Sequence, residues 1–199
     1  MMHRHLTPHR PRIAFVDPCS TLGYCQAALD QGGLGRTEAT ILRIASALHL
    51  TVPPTIDVIY NPIADDLRPG DATGDLNRLL FASSLHKGLK QVFEQFAGLR
   101  KALPKLTFSV ADPGYLTWET GPVPEGVVFL GSLSHAALLR QMRRSVCLFY
   151  PQTSLVETVG LVLAEANAVG TPALVHAGLG AIDEIVCGAQ HLNDGHDPA

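Results

Sequence analysis

Two glutamates eight residues apart, Glu157 and Glu165, carry the clearest chemistry in the sequence. They lie in the run Val146 to Pro172, VCLFYPQTSLVETVGLVLAEANAVGTP. Ionised carboxylates are pure acceptors and suit sugar hydroxyls. Eight residues of helix turn through about 80° beyond two full circles and rise about 12 Å. If a helix reached back to Glu157, both acids would lie on roughly one side, about a nucleotide sugar's length apart. Between them the N–H groups of Thr158 to Leu161 would be those left free at a helix start, and they would point at an anion. Gly160 removes a side chain that would block close approach. The pattern offers hydroxyl acceptors at both ends and a diphosphate seat between them. A plainer reading stays open: Glu157 caps the helix and Glu165 belongs to a solvated face.

Lys87 is the next candidate. With Gly88 it opens an amphipathic helix, where a cation opposes the helix dipole. A phosphate at the same place would offset that cost. A solvated lysine is the alternative. Near the start, Gly32 and Gly33 follow the β-like run Arg12 to Asp17 and precede a helix with Ile41, Leu42, Ile44, Ala45 and Leu48 on its apolar face. Strand, glycine turn and helix form the phosphate-binding opening of a Rossmann-type domain. Read alone, the turn lacks the third glycine of a dinucleotide fingerprint and the Gly-Lys-Ser/Thr of a P-loop, so a structural turn is the simpler meaning.

The elements that must position these residues alternate. Val146 to Tyr150 is a short apolar run stopped by Pro151, a buried strand entering a loop. Leu161 to Val169 has helical spacing and ends at Gly170, Thr171 and Pro172. Ala173 to His176 begins another strand, completing a βαβ unit. Upstream, Leu76 to Ser83 predicts a strand. A helix follows with Leu89, Val92, Phe93, Phe96, Leu99 and Leu103 on one face. Leu106 to Asp112 predicts the next strand. Tyr115 to Gly126 reads as a loop whose Trp118 packs locally. Val127 to Leu130 predicts a strand. Ser134 caps a helix from His135 to Arg144, on which Arg140, Arg143 and Arg144 make a solvated basic face. Ile182 to Val186 starts a last helix, with Asp183 and Glu184 in its first turn. The alternation predicts an α/β fold, a Rossmann-like parallel sheet with helices on both faces.

Composition narrows the classes. The chain has 199 residues, 46% of them apolar, and a formal net charge of −3. That suits one domain and a fraction with a substantial core. It argues against nucleic acid as partner. No apolar run reaches the ~18 residues of a membrane span, and the basic start MMHRHLTPHRPR lacks the apolar core of a signal peptide. Cys19, Cys25, Cys147 and Cys187 show neither zinc spacing nor a disulfide pattern, which fits reduced thiols in the cytoplasm. Nicotinamide chemistry is disfavoured, because no acid follows a complete glycine fingerprint by about 20 residues.

The run ETVGLVLAEANAVGTP resembles the E-x7-E segment of retaining GT-B glycosyltransferases of the family 4 type. Glu157, Gly160, Leu161, Ala164, Glu165, Gly170 and Pro172 fall where that family has them. The resemblance implies that Glu157 contacts the donor sugar and Glu165 the ribose hydroxyls. It implies that Lys87 holds the donor phosphates, that Gly131 and Ser132 seat the base, and that the Gly32-Gly33 turn faces the diphosphate. Ala82 stands where the family usually has an arginine; His86 and Arg78 are the residues available to replace it. Ile56 to Pro62 resembles the family's hinge. The resemblance implies that on the order of a hundred residues of the family's N-terminal domain are absent between Leu50 and that hinge, and the family's last helices are expected to be absent as well. The expected organisation is a tail 1–11, a remnant βα unit 12–50, a linker 51–75, a nucleotide-sugar-binding domain 76–192 and a tail 193–199. The expected function is transfer of a sugar from a nucleotide-diphosphosugar donor to an acceptor hydroxyl with retention, needing neither cofactor nor metal. The alternative is a non-catalytic nucleotide-sugar-binding module, or an inactive fragment, completed by a partner domain or a homo-oligomer. Peripheral membrane contact stays open.

Overall fold

A computed structural model describes residues 62–71, 74–114, 116–155, 157, 160–180, 182–186 and 192–193. All belong to the second of two units into which the chain divides, Tyr60–Ala199. Gly32 and Gly33 lie outside the described residues, as does the whole of the span 12–50 expected to form a remnant βα unit.

Among the described residues ten elements follow in order: β1 (Asp75–Ala82), α1 (Leu89–Ala102), β2 (Thr107–Ala111), β3 (Val127–Gly131), α2 (His135–Arg143), β4 (Ser145–Tyr150), α3 (Leu161–Ala168), β5 (Ala173–His176), α4 (Ile182–Ile185) and β6 (Leu192–Asn193). The six strands form one sheet in the order β3-β2-β1-β4-β5-β6, and every pairing is parallel. This is the Rossmann-like α/β fold that the alternation predicts. Right-handed crossovers put α1 on one face and α2 and α3 on the other, because the chain moves outward in opposite directions from the centre. That reversal falls between β1 and β4. Ligands in open parallel sheets bind beyond the strand ends at such a switch point.

The core explains the apolar runs. Leu79 to Ala82, in the central strand, are all buried, as a parallel strand covered on both faces requires. Phe108 anchors an aromatic cluster. Its ring lies 5.1 Å from that of Phe96, 5.9 Å from Phe149 and 6.2 Å from Phe93. Edge-on and tilted geometry of this kind adds to the burial of the rings.

The helix ends follow the expected chemistry. Ser134 accepts a hydrogen bond from the Ala137 amide at 3.3 Å and caps α2. After α3 the Gly170 amide bonds Asn167 O at 3.0 Å and the Thr171 amide bonds Ala166 O at 2.8 Å. Gly170 has φ 84°, so this is a Schellman ending of the kind the Gly-Thr-Pro run implies. Gly88 opens α1 with φ 77°, and a Cβ there would stand 2.5 Å from Gln152 Cβ. Both the left-handed backbone and the close approach demand glycine.

Several expectations change. Leu103 is 55% exposed, because α1 ends before it; buried Gln95 shares the apolar face instead. Trp118 is half-exposed rather than packed, with its ring edge-on to His86. Among the described residues, no helix bridges β2 to β3. β3 is an edge strand whose Val128 and Phe129 remain about half exposed. Arg143 is not merely solvated, since its guanidinium donates to Arg68 O and ties residues 62–71 to α2. No described helix is long and apolar enough to cross a membrane.

Candidate functional site

A cleft of about 510 Å³ opens at the switch point, beyond the carboxyl ends of the strands. The loop after β1 supplies Ser83, Ser84 and Lys87, the end of β2 supplies Asp112, and the approach to α3 supplies Glu157, Gly160, Leu161 and Glu165. Five of the residues singled out in the sequence thus share one wall: Lys87, Glu157, Gly160, Leu161 and Glu165. Gly131 ends β3 on the same side of the sheet but does not line the cleft. Thr158 and Val159 fall outside the described residues.

Glu157 is the most constrained of these groups. The helix does not reach back to it, because α3 starts at Leu161. Its backbone instead bridges in parallel to Gly180, and its amide bonds Leu179 O at 3.3 Å. Its carboxylate is buried and takes Lys87 Nζ on both oxygens at 3.2 Å. The Tyr150 hydroxyl donates to Oε2 at 3.4 Å, and the Gly160 amide donates to Oε1 at 3.4 Å. Gly160 N–H is therefore shared with Glu157 rather than left free for an anion. Capping contributes only that long contact, whereas the lysine is bidentate. The plain capping reading does not account for the burial.

The loop from β4 to Glu157 is held from two sides. Gln152, fully buried, accepts from the amides of Ser154 and Leu155 at 2.9 and 2.8 Å and donates to Leu155 O at 2.7 Å. From α1, Gln91 accepts from the Thr153 amide at 2.8 Å and Gln95 donates to Pro151 O at 3.2 Å. These side-chain amides satisfy backbone groups of an irregular loop that would otherwise lose hydrogen bonds. They also fix the stretch that delivers Glu157 to Lys87.

Burial, with the Glu157 charge beside it, pushes the Tyr150 phenol well up, so it remains a donor. A hydrogen bond with Ser83 completes its setting. Asp112 has one carboxylate oxygen buried without a partner. Glu165 contacts His135 Nε2 at 2.9 Å. Lys87 is the one lysine or arginine among the lining residues, which also include the acids Asp112, Glu157 and Glu165.

Neither residue offered in place of the arginine at Ala82 lines the cleft. Arg78 lies in the first half of β1, away from the cleft, and its guanidinium bonds Gln141 of α2. His86 turns to Ser84 Oγ at 3.1 Å and to the Trp118 ring. Tyr150, Gln152, Asp112 and His135 join the site without being candidates for it from the sequence. Two of these had a signal. Tyr150 is an aromatic with a polar tip at a strand's carboxyl end. His135 is a basic residue at a helix start, the same anomaly that drew attention to Lys87.

The profile of the family described as "Glycosyl transferases group 1" matches residues 71–195, well over half of the chain. The chain belongs to that family. Its E-x7-E carboxylates and Lys87 all lie within the matched span. No curated protein matches the sequence. Among solved structures, this glycosyl transferase group 1 chain is similar to TarM, with a TM-score of 0.59 and 14% identity over 83% of this chain and 33% of that one. It is similar to a chain of the GtfA/B complex, with a TM-score of 0.55 and 12% identity over 83% and 35%. The pneumococcal O-GlcNAc transferase GtfA, solved with UDP and GlcNAc, gives a TM-score of 0.51 and 18% identity over 83% and 35%. At such identities the likeness concerns the fold, which is that of GT-B glycosyltransferases. The chain spans about a third of the length of these structures.

Proposed function

We propose that the cleft binds the nucleotide-diphosphosugar donor of a retaining glycosyltransferase. The observation that carries this reading is the Lys87–Glu157 pair at the switch point, a cation and a buried hydroxyl acceptor held together where the sheet reverses. Lys87 takes the diphosphate, with the start of α3 behind it. Glu157 accepts from donor-sugar hydroxyls, and Glu165 from the ribose. Gly131, the last residue of β3, and Ser132 after it take the base. The anomeric carbon–oxygen bond to the diphosphate breaks, and a bond to the acceptor oxygen forms on the same face. The acceptor's proton passes to the leaving phosphate. Charge gathers on that leaving group, so a preplaced cation stabilises the transition state more than the ground state.

Glycosyl transfer and a nucleotide-sugar donor are in keeping with the family. They also accord with the UDP and GlcNAc in the complex of the pneumococcal relative. A panel of UDP-, GDP- and ADP-sugars, assayed for transfer and for slow hydrolysis with the wild type and with Glu157→Gln, tests the reading. Turnover with at least one donor, lost in Glu157→Gln, supports it. Binding without turnover favours the non-catalytic module, completed by a partner domain or a second copy. Failure of every donor to bind overturns both.

A further inference from the structure

We infer that His135 is a positioning residue for the donor's ribose, holding Glu165 in the direction from which it accepts a sugar hydroxyl. This rests on the donor-site reading above. The starting point is the 2.9 Å contact between His135 Nε2 and a Glu165 oxygen. Glu165 is the more enclosed partner, with 18% of its side chain exposed against 54% for His135. The histidine therefore reaches inward to the acid.

The position of His135 supports a dedicated role. It is the first residue of α2, directly after the capping Ser134. A basic side chain gains nothing from a helix start, where the dipole favours anions. What rewards a base there is the carboxylate opposite. The contact also joins two separate crossovers. His135 belongs to the one between β3 and β4, and Glu165 to the one between β4 and β5. Gly131, at the end of β3, is four residues before His135. The imidazole thus links the loop offered to the base with the acid offered to the ribose, so that one nucleoside is read by one connected unit.

The chemistry is simple. A lone glutamate on a helix face samples several rotamers and must lose that freedom to grip a hydroxyl. With one oxygen on the imidazole, its orientation is fixed beforehand and the other oxygen remains for the ligand. Preorganisation of this kind raises affinity without adding a contact to the ligand. It acts only on ligands whose ribose hydroxyls meet the carboxylate.

The test uses the full chain. Whichever of UDP, GDP and ADP gives the largest thermal shift is titrated by calorimetry beside its 2′,3′-dideoxy form. The wild type, His135→Ala, His135→Gln and Glu165→Ala are compared. The wild type is expected to prefer the ribonucleotide by about tenfold, the scale of one hydrogen bond to a charged group. His135→Ala is expected to reduce that preference to within about threefold, towards Glu165→Ala, with the dideoxy affinity unchanged. His135→Gln, which returns an N–H donor near the Nε2 position, is expected to restore most of it. An undiminished preference in His135→Ala overturns the inference. So does an equal loss for both nucleotides, which marks a merely structural role. A wild type that binds a diphosphate without preferring ribose overturns the inference and leaves the donor site standing. A wild type that binds none of the three removes both.

Discussion

Replacing Lys87 with alanine tests the site most instructively, because two effects of the change separate. The first is on stability. Lys87 contacts both oxygens of Glu157 at 3.2 Å, and the acid keeps only 10% of its side-chain surface. Removing the cation leaves a nearly buried carboxylate with only two 3.4 Å donors, Tyr150 and Gly160. A fully buried pair broken on one side costs about 3–5 kcal/mol. Lys87 itself keeps a third of its surface, so solvent screens the pair and the cost falls towards the exposed limit. A value of about 1–2 kcal/mol follows, or a melting temperature lowered by about 3–6 °C for a chain of this size. In a Glu157→Gln background no buried charge remains, and Lys87→Ala should cost only a few tenths of a kcal/mol. The coupling in the double-mutant cycle is therefore about 1 kcal/mol, read by urea denaturation. The second effect is on turnover. If Lys87 meets the departing diphosphate, its loss lowers kcat by about 10²–10³ with any donor that is turned over. Stability effects that add to within about 0.3 kcal/mol would refute the pair as an energetic unit. A kcat unchanged in Lys87→Ala would refute its role in the chemistry.

Four further outcomes are expected. Gly88→Ala should destabilise by at least about 2 kcal/mol, from a left-handed φ and a 2.5 Å clash with Gln152. Gly131→Ala, with φ 67° and open space around it, should cost only about 1 kcal/mol; equal midpoints in urea would contradict this contrast. Ala82→Arg, at the cleft-lining strand end where the family usually carries a cation, should tighten nucleoside diphosphate binding about tenfold by calorimetry, and weaker binding would count against a diphosphate there. Burial pushes the Cys147 thiol from its ordinary value of 9.0 up to about 12. The folded chain then keeps a proton that the unfolded chain has lost, so this contribution to stability is whole below pH 9 and falls as pH rises towards 12. Cys147→Ala should flatten that alkaline decline in denaturation midpoints, and an unchanged slope would assign the decline elsewhere.

Much of the sheet was readable because its central strands are apolar without interruption. Leu79 to Ala82 and Leu148 to Tyr150 have no polar alternation, so burial on both faces was the simple inference. The ending of α3 was written in Gly170 and Pro172, and the start of α2 in Ser134. Other features depend on neighbours that the sequence does not place. The solvated appearance of Gln91, Gln95 and Gln152 hides their use, which is to bond the backbone of the loop before Glu157. Arg78 looked available for a phosphate because its charge was visible and its end of the strand was not. The edge position of β3 leaves Val128 and Phe129 exposed even though their run reads like a core strand. In the site, the spacing of Glu157 and Glu165 indicated a shared wall. A continuous helix between them did not follow, because Glu157 pairs with Gly180, a partner more than twenty residues away.

The most direct measurement is a crystal structure of the chain soaked with the nucleoside diphosphate that best stabilises it. The account predicts a phosphate oxygen within about 3 Å of Lys87 Nζ, in the cleft between the ends of β1 and β4, with the ribose at Glu165. A nucleotide bound elsewhere on the molecule, with Lys87 still closed on Glu157 alone, would contradict it.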